Sequence, residues 1–290
     1  MRARFVIAAL LSAVSHAAAQ PSIGDIARSA QGRVGASALL LDGGSGREIF
    51  SFHAREHFPM QSVYKLPIGM AVLREVDRGK LQLYAGIRVD KTEYVHKGQH
   101  SPLRDDHPEG ATVAVRELLR LAVSESDGSA SDVLLRLIGG PPAVMTYLRD
   151  LGIDDVQVLD TEKRIGEDGS VQYRNWATPN GAIKILRALH KSAELSRSSR
   201  ALLLQFMTET TTFPTRIKGL LPTNAVVAHK TGSSGTNNGL TAATNDIGIM
   251  TLPDGRNIAI AVFVADSKAD DTARDNVIAR IAKQAWDAGK

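Results

Sequence analysis

The sequence predicts a mixed α/β fold of the α+β type: an antiparallel sheet flanked by helices, with an all-α subdomain beside it. Short apolar runs bounded by turn residues occur near the start of the chain and again near its end, as is typical of strands. Between about residues 61 and 205 the apolar residues recur at helical spacing instead. Strands at both ends around a helical middle favour one sheet with a helical insertion, and a cleft between the two.

Five short apolar runs carry the strand prediction. Residues 36–42 end at the pair Gly43-Gly44, and residues 48–53 follow as a hairpin partner. Three similar runs lie late in the chain, at residues 225–229, 247–252 and 258–264. The chain then closes with a helical pattern over residues 271–286.

Length and composition indicate one substantial domain. The chain has 290 residues, of which 43% are hydrophobic and 23% charged, and no internal repeat or low-complexity linker divides it. We therefore expect a single domain over residues 20–290, with a sheet subdomain at about 20–60 and 206–290 and a helical subdomain at about 61–205. The net charge of +4 is too small to indicate a nucleic-acid partner.

The first 19 residues resemble an export signal. Arg2 and Arg4 precede the apolar run 5–14, and Ala17-Ala18-Ala19 forms a small-residue cleavage site. The alternative is a first core helix, but the order of basic, apolar and small residues favours secretion to the periplasm. Because the chain has no cysteine, an exported form must take its stability from its core alone.

Ser62 and Lys65 form the first candidate catalytic pair. On a helix, a separation of three residues places the hydroxyl and the amine on one face, where Lys65 can accept a proton from Ser62. Residues 58–61 lead into a predicted helix start, where free backbone N–H groups favour a developing negative charge. The same spacing also occurs on ordinary solvated helix faces, so the pair gains weight only from other motifs.

Two further motifs support a catalytic role for Ser62 and Lys65. Ser126-Asp127-Gly128 follows an amphipathic stretch and, alone, is equally a loop with a helix-capping residue. Lys230-Thr231-Gly232 follows the apolar run 225–229 and, alone, is a charged strand end. In this order the three motifs match the S-x-x-K, S-D-N and K-T-G signature of class A β-lactamases and penicillin-binding proteins, with glycine in place of the asparagine.

The chain resembles the class A serine β-lactamases over nearly all of its predicted mature length. Residues 124–127, 171–176 and 241–246 are similar to the PER-type extended-spectrum branch. The resemblance implies a serine β-lactamase/penicillin-binding protein-like fold. It also implies hydrolysis of β-lactam antibiotics, namely penicillins and cephalosporins including oxyimino-cephalosporins, through a serine acyl-enzyme that confers β-lactam resistance.

The resemblance assigns roles to five catalytic residues. Ser62 attacks the lactam carbonyl, while either Lys65 or Glu162, acting through water, takes its proton; the sequence leaves both alternatives open. Ser126 relays the proton to the lactam nitrogen, and Lys230 keeps the local potential positive. Glu162 then activates the water that releases the product, although by itself it is an ordinary loop acid.

Substrate-binding residues follow from the same resemblance. Backbone N–H groups of Ser62 and Ser233 form the expected oxyanion hole. β-Lactams carry a carboxylate, and we expect Arg216 to anchor it beside Thr231 and Gly232. The alternative for Arg216 is an exposed loop arginine.

Four positions depart from the family pattern. Gly128, at a substrate-binding position, and Gly166 each stand where many members have an asparagine, the first contacting the substrate and the second fixing the hydrolytic water. Asp160 and Asn175 replace an arginine and an aspartate that pin the intervening loop. We expect a roomier cleft and a differently held loop. His100 falls where the family tends to have an aromatic wall residue.

No cofactor or metal is expected, because the eight histidines show no paired ligand spacing with acids and cysteine is absent. The expected partner is a small-molecule β-lactam, for a monomer with no membrane attachment after signal cleavage. Two rival functions are a penicillin-binding D-alanyl-D-alanine peptidase, which lacks an efficient deacylating base, and a non-catalytic β-lactam or muropeptide sensor. Glu162 argues against the first rival, and the complete catalytic set argues against the second.

Overall fold

The computed structural model describes residues 21–41 and 46–290; the predicted signal peptide and the Gly43-Gly44 turn lie outside them. The described α-helices are α1 Ile23–Ala27, α2 Lys65–Asp77, α3 Pro102–Asp106, α4 Val115–Ser124, α5 Gly128–Ile138, α6 Pro141–Asp150, α7 Glu162–Glu167, α8 Pro179–Lys191, α9 Arg197–Thr208 and α10 Asp271–Gly289. The described strands are β1 Arg33–Leu40, β2 Arg47–Phe52, β3 Phe58–Pro59, β4 Gly86–Val89, β5 Ala111–Ala114, β6 Val156–Gln157, β7 Trp176–Ala177, β8 Val226–Ser233, β9 Thr236–Asn237, β10 Leu240–Thr251 and β11 Asn257–Ser267.

The main sheet joins the two ends of the chain. Its strand order is β2-β1-β11-β10-β8, with β9 pairing on β10, and the pairs along this order are antiparallel. The amino-terminal strand β1 therefore lies beside the carboxyl-terminal strand β11, with Ser37 opposite Ala261. The predicted α+β fold is confirmed, and β8 forms one edge of the sheet.

Each face of this sheet is covered by its own hydrophobic core. Along β11, Val262 and Val264 pack into a core with α1 and α10, which includes Trp286. Phe263 and Ala265 alternate with them and pack into the larger core of the helical part. Since successive strand residues point to opposite faces, the nearly continuous apolar sequence of β11 is explained by burial on both sides.

Two element boundaries differ from the sequence prediction, and both shape the cleft. Ser62 lies in a 3₁₀ turn, Gln61–Tyr64, and α2 begins only at Lys65. β8 continues beyond residue 229 through Lys230-Thr231-Gly232 to Ser233, because pairing with β10 extends to Ser233 opposite Thr244. Within the described residues, no helix is both long and apolar enough to cross a membrane.

Candidate active site

A cavity of about 740 Å³ lies between the β8 edge of the sheet and the helical part. Its wall includes Ser62, Lys65, Ser126 and Glu162, four of the predicted catalytic residues. The predicted substrate-binding segment Thr231-Gly232-Ser233 lines the opposite side. Residues from four distant parts of the sequence therefore meet in one cleft.

Lys65 lies at the centre of the predicted catalytic residues. Its Nζ is 2.9 Å from Ser62 Oγ, 2.8 Å from Glu162 Oε1 and 2.7 Å from the carbonyl oxygen of Ser126. An ammonium has three N–H donors, so these three acceptors satisfy a protonated Lys65 completely. Glu162 Oε1 is also 3.5 Å from Ser62 Oγ, which leaves a carboxylate beside the hydroxyl.

A second lysine, Lys230, contacts the side chain of Ser126. Lys230 Nζ donates to Ser126 Oγ at 2.9 Å and to the carbonyl oxygen of Thr231 at 3.1 Å. Lys230 is fully buried, and this burial, together with the nearby Lys65 ammonium, holds the pKa of Lys230 well below its usual range. Its neighbour Thr231 shares a hydrogen bond of 2.7 Å with Thr212, a residue of the cavity wall that the sequence did not indicate.

Glu162 is not a solvent-exposed loop acid. It is the first residue of α7 and is only 9% exposed. The carboxylate of Asp132 in α5 accepts hydrogen bonds from the backbone N–H groups of Glu162 and Lys163, both at 2.8 Å. Burial raises the pKa of Asp132 to about 7. The sequence analysis missed Asp132, although it lies one helical turn after Gly128.

The N–H of Ser233, one of the two predicted oxyanion-hole donors, is not used in the pairing of β8 with β10. The N–H of Ser234 donates to the carbonyl oxygen of Ala243 in β10 at 3.0 Å, so strand alternation turns the N–H of Ser233 away from β10. A Cβ atom on Gly232 would overlap the carbonyl oxygen of Met60. Glycine is required there because β8 approaches the turn that carries Ser62, the predicted nucleophile.

Arg216 is neither an exposed loop residue nor part of the cavity wall. It is 3% exposed and forms an ion pair with Asp275 of α10, Nε to Oδ1 at 2.8 Å. Its Nη1 donates to the carbonyl oxygens of Gly232 and Asn245, and its Nη2 donates to Ser233 Oγ at 2.7 Å. The expected role as a carboxylate anchor stays a prediction: this charge lies behind the cavity wall and reaches the cavity through the hydroxyl of Ser233.

The two glycines at the cleft do not leave empty space, which corrects the expectation of a site enlarged by them. Gly128 begins α5 and does not line the cavity; a Cβ there would meet the His100 carbonyl oxygen at 3.3 Å and Glu162 Cγ at 3.4 Å. At Gly166 the space is occupied by the carboxamide of Gln99. His100 does line the cavity, and its Nε2 lies 2.9 Å from the carbonyl oxygen of Glu125.

The loop between Asp160 and Asn175 is held differently from the family pattern, as expected. Asn175 is fully buried; its Oδ1 accepts from the N–H groups of Leu159 and Asp160, and its Nδ2 donates to the Asp160 carbonyl oxygen at 2.9 Å. Arg174 forms an ion pair with the Asp160 carboxylate at 3.2 Å. The loop ends are therefore joined by the amide of Asn175 and by an ion pair from Arg174, not by an ion pair between positions 160 and 175.

Comparisons with known proteins agree with this geometry. A model of the β-lactamase enzyme family matches residues 18–288. A class A β-lactamase structure from Bacteroides cellulosilyticus superimposes with a TM-score of 0.86 at 33% identity, covering 92% of this chain and 95% of the other. The chain belongs to the class A β-lactamases.

Relatives of this class A β-lactamase are similar over most of their length. It is 44% identical over 231 residues to the extended-spectrum β-lactamase PER-1 of Pseudomonas aeruginosa, covering 80% of this chain and 75% of that protein. It is 43% identical to β-lactamase VEB-1 of the same organism, covering 79% and 77%. A β-lactamase structure from Chitinophaga pinensis superimposes with a TM-score of 0.88 at 44% identity, covering 92% and 98%. The suggested PER-type resemblance is confirmed.

Proposed function

We propose that this class A β-lactamase hydrolyses penicillins and cephalosporins, including oxyimino-cephalosporins, through an acyl-enzyme on Ser62. The observation that carries the proposal is the position of Lys65 Nζ, within 2.9 Å of both Ser62 Oγ and Glu162 Oε1. One ammonium thus connects the nucleophile to a carboxylate that can act as a base, which is the arrangement that both acylation and deacylation require.

In acylation, Ser62 Oγ attacks the lactam carbonyl and loses its proton. The carbonyl oxygen becomes an oxyanion that the N–H groups of Ser62 and Ser233 stabilise. With Lys65 protonated, its three donors are occupied, and Glu162 Oε1, 3.5 Å from Ser62 Oγ, is then the available base. A neutral Lys65 would instead accept the proton directly at 2.9 Å.

Opening of the ring and release of the product use the remaining groups. As the lactam C–N bond breaks, Ser126 gives its proton to the nitrogen and takes up the proton that Ser62 released, which returns the acylation base to its starting protonation state. Lys230 supports this step through its 2.9 Å contact with Ser126 Oγ. Water then attacks the acyl carbonyl while Glu162 takes a proton from it. The ester bond to Ser62 breaks, Ser62 Oγ regains a proton, and the hydrolysed β-lactam leaves.

The substrate carboxylate is assigned to the Thr231 and Ser233 hydroxyls on the β8 side of the cavity. Both line the wall, and Arg216 donates to Ser233 Oγ from behind it at 2.7 Å. A hydroxyl that accepts from a guanidinium is a stronger donor to an anion, because hydrogen bonds in a chain polarise one another. Arg216 therefore acts on the carboxylate through Ser233, while Lys230 adds positive potential.

Two relatives support the wider substrate range: PER-1 and TLA-1 are both described as extended-spectrum β-lactamases. We expect the specificity constant for an oxyimino-cephalosporin to lie within about tenfold of that for a simple penicillin, a difference of about 1.4 kcal/mol in transition-state binding. Steady-state kinetics with one substrate of each kind check this. A cephalosporin value about a thousandfold lower would contradict the wider range.

We further propose that the protein is exported to the periplasm and that it is a monomer.

The experiment that tests the nucleophile compares wild type with Ser62→Ala on a chromogenic cephalosporin. The variant should lose hydrolysis while keeping the circular dichroism spectrum of wild type, since it loses only a hydroxyl. Mass spectrometry of wild type with a slow substrate should place the adduct on the peptide that contains Ser62. An adduct on another serine, or hydrolysis by the variant at the wild-type rate, would refute the assignment.

A further inference from the structure

The side chain of Gln99 occupies the position that a side chain on Gly166 would take. A Cβ atom built on Gly166 would overlap the Gln99 carboxamide, with Nε2 at 2.8 Å among the nearest atoms. Gly166 lies in α7, whereas Gln99 lies in the loop before α3. A carboxamide from one segment therefore fills the space left by glycine in another.

This carboxamide joins its own loop to the backbone of the catalytic glutamate. Gln99 Nε2 donates to the main-chain carbonyl oxygen of Glu162, and Gln99 Oε1 accepts from the N–H of His96 at 3.1 Å. The loop is itself fixed by Arg104, whose Nη1 donates to the carbonyl oxygens of Val95, His96 and Gln99 at 3.3, 2.6 and 3.0 Å.

The short helix α7 depends on such contacts. It spans six residues, and a helix of this length is not stable on its own in water. Asp132 holds the N–H of Glu162 from α5, and Gln99 holds its carbonyl oxygen from the opposite loop. The carboxylate that touches Lys65 is thus carried by a residue whose backbone is fixed at both polar groups.

We propose that Gln99 is a positioning residue for deacylation, supplying from a neighbouring loop the carboxamide that Gly166 lacks. The inference rests on the proposed function, in which Glu162 takes a proton from the attacking water while the ester bond to Ser62 breaks. Gln99 acts through the backbone of Glu162. Its loss should affect the step that needs an accurately placed base more than the binding of substrate.

The test is a double-mutant cycle between Gln99 and Gly166, with acylation and deacylation rates measured separately by stopped-flow and quenched mass spectrometry. Gln99→Ala should slow deacylation about tenfold or more and change acylation by less than about threefold. Gly166→Ala should also slow deacylation, because its methyl group displaces the Gln99 carboxamide. In the Gln99→Ala background, Gly166→Ala should cost less than about twofold, so the two effects are not additive.

Two control variants separate positioning from simple space filling. Gln99→Glu keeps the shape but places a carboxylate oxygen against the Glu162 carbonyl, so it should slow deacylation at least as much as Gln99→Ala. Gly169→Ala lies in the same loop, where an added Cβ meets no atom within 4 Å, and should leave deacylation unchanged. A Gln99→Glu enzyme with wild-type deacylation would overturn the proposal.

Four further results decide the remaining cases. Additive losses in the cycle would overturn the proposal, as would equal losses in acylation and deacylation for Gln99→Ala, since both indicate a general structural role. Glu162→Gln serves as the reference for the proposed function. If Glu162→Gln accumulates acyl-enzyme while Gln99→Ala deacylates at the wild-type rate, only the role of Gln99 fails. If Glu162→Gln accumulates none, the role of Glu162 fails instead.

Discussion

The Glu162 carboxylate is the group whose replacement should change the kinetics most selectively. In Glu162→Gln the amide can still occupy the position beside Lys65, but it cannot take a proton from water. Deacylation should fall by about two to four orders of magnitude, and the acyl-enzyme on Ser62 should accumulate in mass spectra. Steady-state turnover within about threefold of wild type would mean that another group activates the water.

The buried Lys230 predicts a characteristic alkaline limit. Burial and Lys65 hold its pKa well below 10.5, so the ammonium beside Ser126 is lost at a lower pH than for an ordinary lysine. The specificity constant should therefore decline on the alkaline side below that value. Lys230→Arg keeps its charge at high pH and should move this limb upward in a pH profile of kcat/KM. An unchanged limb would assign it to another group.

The same shift affects stability with a definite sign. Between the lowered pKa of Lys230 and 10.5 the unfolded chain binds more protons at this residue than the folded protein does. The contribution of Lys230 to the free energy of unfolding therefore becomes more favourable as pH rises through this window. Lys230→Met should remove that dependence, which urea titrations at several pH values would detect as a flatter profile.

Single residues were predictable where a short motif carried them. Ser62, Lys65 and Lys230 belong to patterns of residue types at fixed spacing. Asp132 and Gln99 do not, because each acts through the backbone of Glu162, 30 or 63 residues away in the sequence. No local pattern encodes such contacts, although Gly166 did show that the asparagine usual in the family is absent from this position.

At the scale of elements, the sequence indicated that the loop closure between Asp160 and Asn175 had changed but not what replaced it. The amide of Asn175 both accepts and donates, so it pairs with backbone N–H and C=O groups of Leu159 and Asp160 at the other end of the loop. A carboxylate can only accept hydrogen bonds and a guanidinium can only donate them, so neither member of an arginine–aspartate pair could do both. The adjacent Arg174 then pairs with Asp160, a contact that becomes evident only when the loop path is known.

The ion pair between Arg216 and Asp275 links α10 to the edge of the active site. Asp275→Asn would leave the buried guanidinium without its counter-charge, at a cost of about 3 kcal/mol in the free energy of unfolding. It should also raise KM for β-lactams, because Arg216 would hold Ser233 less firmly. Urea unfolding and steady-state kinetics measure the two effects.

Asp271 provides the matched control for this prediction. It lies on the same helix and pairs with Arg274, but its side chain is 90% exposed. Arg274 is itself buried, but it also donates to Thr244 Oγ1 and to the Ala269 carbonyl oxygen, and water screens the charge of the exposed Asp271 carboxylate. Asp271→Asn should therefore cost less than about 1 kcal/mol and leave KM unchanged. If the two variants were equally stable and equally active, the Arg216 charge would have no role in the cleft.

At the scale of the whole molecule, the prediction of a sheet assembled from both chain ends rested on strand-like runs at the two termini. The sequence did not show that the sheet separates two cores, because an apolar run such as β11 looks the same whether one or both faces are covered. In the structure Val262 and Phe263 belong to different cores. Because the same strand contributes side chains to both cores, we expect the two cores to unfold together.

The two tryptophans allow this coupling to be tested, because they lie in different parts of the molecule. Trp286 is buried in the α10 core, whereas Trp176 lies in β7 opposite Pro59 and stacks on His57 at 3.6 Å between ring centroids. Trp286→Phe leaves Trp176 as the only tryptophan, and Trp176→Phe leaves Trp286. In each variant we expect the fluorescence midpoint in urea to coincide with the midpoint from far-ultraviolet circular dichroism, since one sheet carries both cores.

The cost of the two substitutions should differ in a way that the burial predicts. Trp286→Phe should lower the midpoint, but by less than the lost indole area suggests, because Trp286 Nε1 has no hydrogen-bond partner among residues 21–41 and 46–290 and its loss removes an unsatisfied donor. Trp176→Phe should lower it less, because that ring is only half-buried. A Trp176 transition at clearly lower urea than the circular dichroism transition would show that the helical part unfolds independently, and the sheet would then not couple the two cores.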